Sequence, residues 1–344
     1  MKVGTIIYAT NSGLGILAKD FYDNGVITDV LVQTHPHLKN NFHWYKDSPA
    51  LSVISNIAMN SKKTEKHNED LIESFINKVD VLLLFEIEWY SDIIQKARKL
   101  GKKVILMPMY ECSPFPILAD CYLTVSDLDH EYYTKMYNGR NIKRINVPAN
   151  SNLKWKKREK ANVFIHNSGF HNSNDRNGTQ KIIDSLPLIK SKDIEIRIRT
   201  QNLKYKFPSD SRLTIDSSDR NFDELWNDGD VFIFPERWNG LSLPIQEAYS
   251  SGLLIMCGDR NPMNNWLPKK PMIKVNHYER MNIVPRIPFP AACYNPEDIA
   301  KKIDEFAGQD ISEYSLMGKQ WSEENSWENL KSEYIKIIKS VYES

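Results

Sequence analysis

The sequence predicts an α/β protein of two Rossmann-like domains, each a parallel sheet covered by helices, the two facing a central cleft. Short apolar, β-branched runs alternate with helical stripes along the chain, and strand, helix, strand in succession implies parallel pairing through a crossover. The alternation is interrupted once, by the charged stretch Ser151 to Lys160, which divides the chain into halves of similar size. A length of 344 residues suits two such domains at roughly 150 residues each.

Val3 to Ala9 is short, apolar and β-branched, as a strand buried on both faces must be. Asn11-Ser12-Gly13 ends it. Leu14, Leu17, Ala18 and Phe21 then recur at helical spacing, with Ser12 as N-cap and Gly25 just past the end. The unit repeats in Val79 to Phe85, a helix marked by Ile93, Ile94, Ala97 and Leu100 and stopped by Gly101, and Val104 to Met107. Tyr122 to Val125 carries the pattern on toward Pro148, so the first domain is 1–150. Ser151 to Lys160 reads as a solvated linker or, alternatively, as a basic phosphate-binding patch.

From Ala161 the alternation restarts with Val163 to His166 as a strand and Ile182, Ile183 and Leu186 on a helix. Ile194, Ile196 and Ile198 then alternate with Glu195, Arg197 and Arg199. Asp230 to Phe234, a helix from about Leu243 to Ser251, and Leu253 to Met256 form a further unit. Helical patterns follow over Pro296 to Phe306 and Ser326 to Val341, giving a second domain of 161–325 and a terminal helical segment of 326–344.

Composition sets outer bounds. At 41% hydrophobic and 26% charged the chain is an ordinary folded protein, not a disordered, collagen-like or disulfide-scaffold one. Lys plus Arg (45) balances Asp plus Glu (44), so the net charge of +1 gives no global reason for a polyanionic or membrane-surface partner. Cys112, Cys121, Cys257 and Cys293 form no C-x-x-C pair, which fits a reducing compartment and no zinc. The amino terminus lacks a signal peptide's long apolar core and no apolar run reaches membrane-spanning length, so the expected location is cytoplasmic.

The most informative stretch is Pro235 to Asp259, PERWNGLSLPIQEAYSSGLLIMCGD. It follows a strand. A loop with Gly240, then Ser242 and Pro244 opening a helix, presents backbone amides and a positive helix end, which suits a phosphate. Glu247, early in that helix, offers a carboxylate to a ribose diol. These residues resemble the nucleotide-sugar signature of GT-B glycosyltransferases of the glycogen-synthase and sucrose-synthase type, two glutamates flanking a Gly-Leu-Pro. Gly240-Leu241-Ser242-Leu243-Pro244 and Glu247-Ala248 carry the match. The resemblance implies that Glu247 binds the donor ribose. Asn239 stands where that group has its first glutamate, which contacts the donor sugar. It can hydrogen-bond a hydroxyl but supplies no negative charge, so Glu236 is a candidate substitute, and a degenerate inactive relative is the alternative.

Other landmarks resemble the same group. Ser12-Gly13-Leu14-Gly15 is similar to its amino-terminal glycine loop, which implies that Gly13 and Gly15 lie against the donor diphosphate and sugar. Asp120-Cys121-Tyr122 to Val125-Ser126-Asp127 resembles one of its strands, and Ser326-Trp327 with the following helix resembles its terminal helix, which crosses back onto the first domain. Between His166 and Gln180 the group carries two cations that neutralise the leaving diphosphate. Arg176 takes roughly the place of the second, and Arg199 and Arg237 are candidates for the missing first. Arg199 as one outward residue of a half-exposed strand is equally consistent.

Asp127-Leu128-Asp129 has the D-x-D form of a metal site, but a helix's first turn explains it better. His35, His37 and His43 follow a strand, and residues one apart on an extended segment point oppositely, against a shared metal. Glu86, Glu88 and Tyr110-Glu111 lie at carboxyl ends of strands, where groups activating an acceptor belong, and Glu111 is the strongest of them. Trp44, Trp89 and Trp155 read as core or rim residues, while Trp238 adjoins the signature and can stack on a base or sugar.

The resemblance thus implies transfer of a sugar from a nucleotide sugar, such as a UDP-sugar, to an acceptor hydroxyl, with retained anomeric configuration and with no metal or other cofactor. Glu111, Asn239 and Glu236 would be catalytic, and Gly13, Gly15, Arg176, Arg199, Arg237, Gly240, Leu241, Ser242 and Glu247 would bind the donor. A sugar-nucleotide epimerase or hydrolase, and an inactive nucleotide-sugar-binding protein, are the rivals. The acceptor and oligomeric state are not legible. The Asn- and Lys-rich style with the SGLG and HNSG segments resembles viral enzymes that glycosylate modified bases of DNA, which implies a host-cytoplasmic setting and phosphate contacts from Lys154, Lys156, Lys157, Arg158, Arg140, Lys143 and Arg144. Balanced net charge argues against extensive duplex contact.

Overall fold

A computed structural model describes residues 1–35, 37–51, 66–87, 92–112, 118–169, 173–200, 205–218, 220–284 and 287–344. The chain divides into two units, Met1–Asn150 with Ser326–Ser344, and Ser151–Asn325.

The first unit runs β1 (Val3–Tyr8), α1 (Gly13–Asp23), β2 (Asp29–Gln33), β3 (Ala50–Leu51), α2 (Lys66–Lys78), β4 (Val81–Glu86), α3 (Ile93–Lys99), β5 (Lys103–Pro108), β6 (Cys121–Thr124), α4 (Asp127–Met136) and β7 (Asn141–Arg144). Its strands form one sheet in the order β3-β2-β1-β4-β5-β6-β7, every pairing parallel. β1 is buried at all six positions, which is why it reads as a continuous apolar run instead of an alternating one. On one face Ile6, Leu31, Leu82 and Leu84 pack with Ile72, Phe75 and Ile76 of α2 and Ile93, Ile94 and Ala97 of α3. The chain's final helix, Trp327–Tyr342, belongs to this unit. Trp327 donates from Nε1 to buried Asp20 Oδ2 (2.7 Å), Tyr334 donates to Asn146 O (2.7 Å), and both rings meet Phe21 edge-on.

The second unit contains β8 (Val163–Asn167), α5 (Thr179–Ser185), β9 (Glu195–Arg199), β10 (Leu213–Asp216), β11 (Val231–Phe234), α6 (Leu243–Ser250), β12 (Leu254–Cys257), β13 (His277–Val284), β14 (Ile287–Cys293), α7 (Pro296–Phe306) and α8 (Ser312–Glu324), which makes Trp327–Tyr342 α9. Its five-stranded sheet has the order β10-β9-β8-β11-β12, again all parallel, and β13 and β14 pair as an antiparallel hairpin. Several elements lie outside the sequence reading, α2, β7, β10, α8 and the hairpin among them, and for the last two the physical reason is plain. α8 buries Ser315 and Gly318, sets half-buried Tyr314 and Trp321 beside them against the core and leaves Leu316 and Met317 exposed, so its packing stripe carries no aliphatic repeat. A Cβ at Gly318 would lie 2.3 Å from Tyr249 O, so only glycine lets α8 approach α6 this closely. The hairpin carries Pro288 and Pro290 in β14, residues that normally argue against a strand.

The segment from Ser151 to Lys160 keeps its lysines in solvent but is tied down at Arg158 and Trp155. Arg158 is 4% exposed. Its Nη1 and Nη2 donate to Asn227 O (3.0 Å) and Trp226 O (2.7 Å), and its backbone amide to Ser315 Oγ (3.0 Å). Trp155 Nε1 donates to Ser315 O (3.0 Å), so the segment is built into the second unit.

Both sheet orders contain a reversal. In the first unit the chain runs outward from β1 to β2 and β3, then resumes on the other side of β1 with β4. In the second it runs from β8 to β9 and β10 and resumes at β11. Loops leave such a switch point in opposite directions, opening a crevice at the carboxyl ends of the strands, where open α/β sheets bind their ligands.

Candidate functional site

The second switch point is organised from beneath by His166, fully buried on β8. Its Nδ1 lies 2.9 Å from Ile233 O of β11, an acceptor only, so Nδ1 carries the proton and Nε2 accepts from Thr179 Oγ1 (2.8 Å) of α5. Burial pushes this imidazole down to about 4, leaving it neutral. Above it the loops after β8 and β11 are knitted together. Gly178 has φ +72°, and a Cβ there would fall 2.3 Å from Pro235 O. Arg237 donates its amide to Arg176 O (2.8 Å) and its Nη1 to Asn174 O (2.7 Å), while Arg176 Nε reaches Trp238 O (3.3 Å).

Within the loop after β11, Glu236 is 1% exposed and faces Arg260, 5% exposed, at 3.0 Å. Ser242 Oγ (2.9 Å) and Asn239 Nδ2 (3.2 Å) donate to its other carboxylate oxygen. Burial works against the Arg260 charge, but the Glu236 carboxylate beside it wins and raises its pKa. Arg260 also donates to Asn239 O (3.3 Å), and Tyr294 to Glu236 O (2.8 Å). A buried ion pair holds only when its remaining hydrogen-bonding capacity is satisfied, as here. Glu236 is thus engaged in the scaffold, which corrects the expectation that it substitutes for a sugar-facing glutamate.

Asn239 is engaged too. Its Oδ1 accepts from Leu241 N (3.2 Å) and Ser242 N (3.1 Å), and Ser242 follows in the left-handed region (φ 58°, ψ 67°) before α6 begins. Of the loop amides expected to face phosphate, those of Leu241 and Ser242 thus already have a partner in the asparagine side chain. Gly240, Leu241 and Ser242 are buried, whereas Glu247 stands half-buried on α6 between inward-facing Gln246 and Ala248.

The remaining cations divide. Arg199 is 7% exposed and bound to Leu225 O and Asp228, with Asp216 3.7 Å away. It is a buried structural cation, neither a donor ligand nor a surface alternate. Arg237 bridges to the hairpin through Glu279 and Ala292 O (3.2 Å) and lies over the Trp238 ring at 5.7 Å. Trp238 itself is 2% exposed, which removes it as a stacking platform. Arg176 is half-buried on the same edge.

In the first unit Ser12 caps α1 by accepting from Gly15 N (3.3 Å), and a Cβ at Gly15 would meet Thr10 O at 2.1 Å. Gly13 opens α1 and is exposed. Glu111 lies half-buried in the turn Tyr110–Cys112 after β5. It adds to burial in holding the Asp129 carboxyl well above the usual range, against the Ser126 hydroxyl that donates to Asp129 Oδ2 (2.6 Å). Asp127 turns outward to Arg144 (3.0 Å), so the two aspartates do not converge. Among the described residues, no cluster of three or more His, Cys, Asp or Glu side chains could hold a metal. Glu88 and Trp89 lie outside the described residues. Sequence reasoning missed Arg260 and His166; a cation directly after one strand and a polar residue closing another were the available signals.

No family model matches the chain, and neither does any curated protein. Solved structures do. The chain is similar to a glycosyltransferase from Rickettsia africae, at 13% identity and TM-score 0.66 over 99% of this chain and 98% of that one. It is similar to Anabaena Alr3699/HepE, solved with UDP and glucose, at 9% identity and TM-score 0.66 over 99% and 100%. The pneumococcal O-GlcNAc transferase GtfA, solved with UDP and GlcNAc, gives 13% identity and TM-score 0.55 over 84% of this chain, which spans 65% of the length of that one. The likeness is one of fold, two Rossmann-like units of the GT-B type across the whole chain. Among the described residues no helix is long and apolar enough to cross a membrane.

Proposed function

We propose that this protein transfers a sugar from a nucleoside diphosphate sugar to an acceptor hydroxyl, with the donor held by the second unit. The observation that carries this reading is Glu247. It stands half-buried at the second switch point, behind a loop fixed by a buried ion pair, in a fold shared with proteins solved with UDP. A carboxylate there can accept both hydroxyls of a ribose. Arg176, on the same edge, supplies positive charge toward a diphosphate. Phosphate binding at Leu241 and Ser242 requires the Asn239 side chain to swing away; with it in place, Arg176 and Gly240 remain the donor contacts of this loop.

Retention without a metal fits the same residues. Glu236 is locked to Arg260 and offers no nucleophile, so the acceptor attacks from the side the diphosphate leaves. The new carbon–oxygen bond forms as the sugar–phosphate bond breaks, and the acceptor proton passes to the departing phosphate oxygen. Preorganised cationic and amide donors of this type lower a barrier by roughly 3 to 4 kcal/mol each.

A thermal-shift panel of nucleotide sugars tests the assignment. A donor at 100 times its Kd adds about 2.7 kcal/mol of stability, and UDP release with a sugar acceptor present, yielding the donor's anomeric configuration by NMR, is the expected outcome. Release at the same rate without an acceptor would favour a hydrolase. Of the basic residues considered for a DNA acceptor, Arg158 is buried within the second unit and Arg144 is paired with Asp127, while Arg140, Lys143, Lys154, Lys156 and Lys157 are exposed.

A further inference from the structure

The first switch point has chemistry of its own. β1 and β2 pair so that Tyr8 lies opposite Gln33, two residues beyond Ile6 and Leu31 on the apolar face. β4 ends its matching series, Leu82 and Leu84, in Glu86. The core-facing row therefore turns polar on three adjacent strands at one edge, Tyr8, Gln33 and Glu86, where the loops diverge. Proximity is real: the Glu86 charge adds to burial in raising the Tyr8 hydroxyl far above its ordinary value.

Three features distinguish this cluster from ordinary core polarity. Gln33 is 2% exposed; its Nε2 donates to Tyr8 Oη (2.7 Å), yet Oε1 is buried with no hydrogen-bond partner among the described residues. A buried carbonyl left so has given up its hydration with nothing in return. Glu86 has φ +70°, a left-handed conformation that a non-glycine residue adopts only at a penalty. His35 stands edge-on to Tyr8 with ring centroids 4.8 Å apart. Its Nδ1 accepts from His37 N (3.1 Å) and Leu38 N (3.0 Å), which fixes the ring and places its proton on Nε2. His35 and Glu86 are half-buried and form the outer side of the cluster, over the buried Tyr8 and Gln33.

We propose that Tyr8, Gln33, His35 and Glu86 form a subsite for an uncharged, polyhydroxylated ligand, a sugar ring, whose hydroxyls donate to the Glu86 carboxylate and Gln33 Oε1 while its C–H faces rest against the rings of Tyr8 and His35. Acceptor oxygens select hydrogen-bond donors, and a carboxylate repels phosphates and carboxylates, so an anionic ligand is disfavoured. One carboxylate beside two aromatic rings suits hydroxyls better than a hard cation. Calling the bound sugar the acceptor rests on the transferase reading above; its binding does not.

Saturation-transfer NMR on the full chain, with methyl glycosides of glucose, galactose, mannose and N-acetylglucosamine as probes, tests this. At least one glycoside should bind, and Gln33→Leu and Glu86→Gln should each weaken it about tenfold, as expected for one lost or neutralised hydrogen bond, with UDP binding and the native far-UV spectrum retained. Absence of any glycoside signal from the wild type, an equal signal from both variants, or binding of methylammonium in place of the glycosides would overturn it. A glycoside signal abolished by both variants in a protein that does not bind UDP would support the subsite while contradicting the donor reading.

Discussion

The two switch points sit at equivalent places in their sheets and are built on opposite principles. At β8 and β11 the polar groups answer one another: Glu236 has Arg260, Ser242 and Asn239, and His166 has Ile233 O and Thr179. At β1 and β4 the edge carries Glu86 and the buried Gln33 Oε1, which has no hydrogen-bond partner among the described residues. The scaffold at β8 and β11 holds its loop through its pairs, with Arg176 and Glu247 half-buried on its outer side, although Asn167 Oδ1 on β8 is itself buried without a hydrogen-bond partner among the described residues. An unsaturated one keeps hydrogen-bonding capacity in reserve. The first arrangement suits an anion whose position must be fixed, the second a neutral hydroxyl-bearing partner.

That contrast can be broken most forcefully at the ion pair. Glu236→Ala leaves Arg260 buried without its carboxylate and should destabilise the second unit by about 3 to 5 kcal/mol in urea unfolding; a loss below about 1 kcal/mol would mean the pair does not organise the loop. Acid is the next lever. His166 binds its proton only near pH 4 when folded but near 6.5 when unfolded, so the unfolded chain takes up more protons between those values. Its contribution is complete above pH 6.5 and lost as pH falls to about 4, a difference of roughly 3 kcal/mol. Stability curves of wild type and His166→Gln should converge across that window, and parallel curves would show that the imidazole is not held neutral.

The first unit offers a smaller counterpart. Gly15→Ala drives a methyl into Thr10 O and should lower stability by about 1 to 3 kcal/mol, read from the unfolding midpoint. Asn239→Ala removes a cap from two amides and should cost about 1 kcal/mol; unchanged stability would mean that those amides do not depend on the asparagine.

The parallel strands were legible because burial on both faces leaves runs such as VGTIIY and VLLLFE with no polar alternation. α8 was not, because its fully buried positions are Ser315 and Gly318, with Tyr314 and Trp321 half-buried beside them and Leu316 and Met317 exposed. Glu247 was singled out from spacing within one segment, and the structure leaves it half-buried on α6. The duties of Glu236, Asn239 and Arg199 were not, since their partners come from elsewhere: Arg260 lies 24 residues from Glu236, and Asp228 lies 29 from Arg199. A motif names residue types, whereas the tertiary contacts decide which are already engaged.

Calorimetric titration of UDP into the wild type and Glu247→Ala bears most directly on all of this. Binding by the wild type, weakened at least about tenfold in the variant, is the predicted result. Equal UDP affinity in both proteins would place the nucleotide away from α6 and contradict the assignment of the second switch point as the donor site.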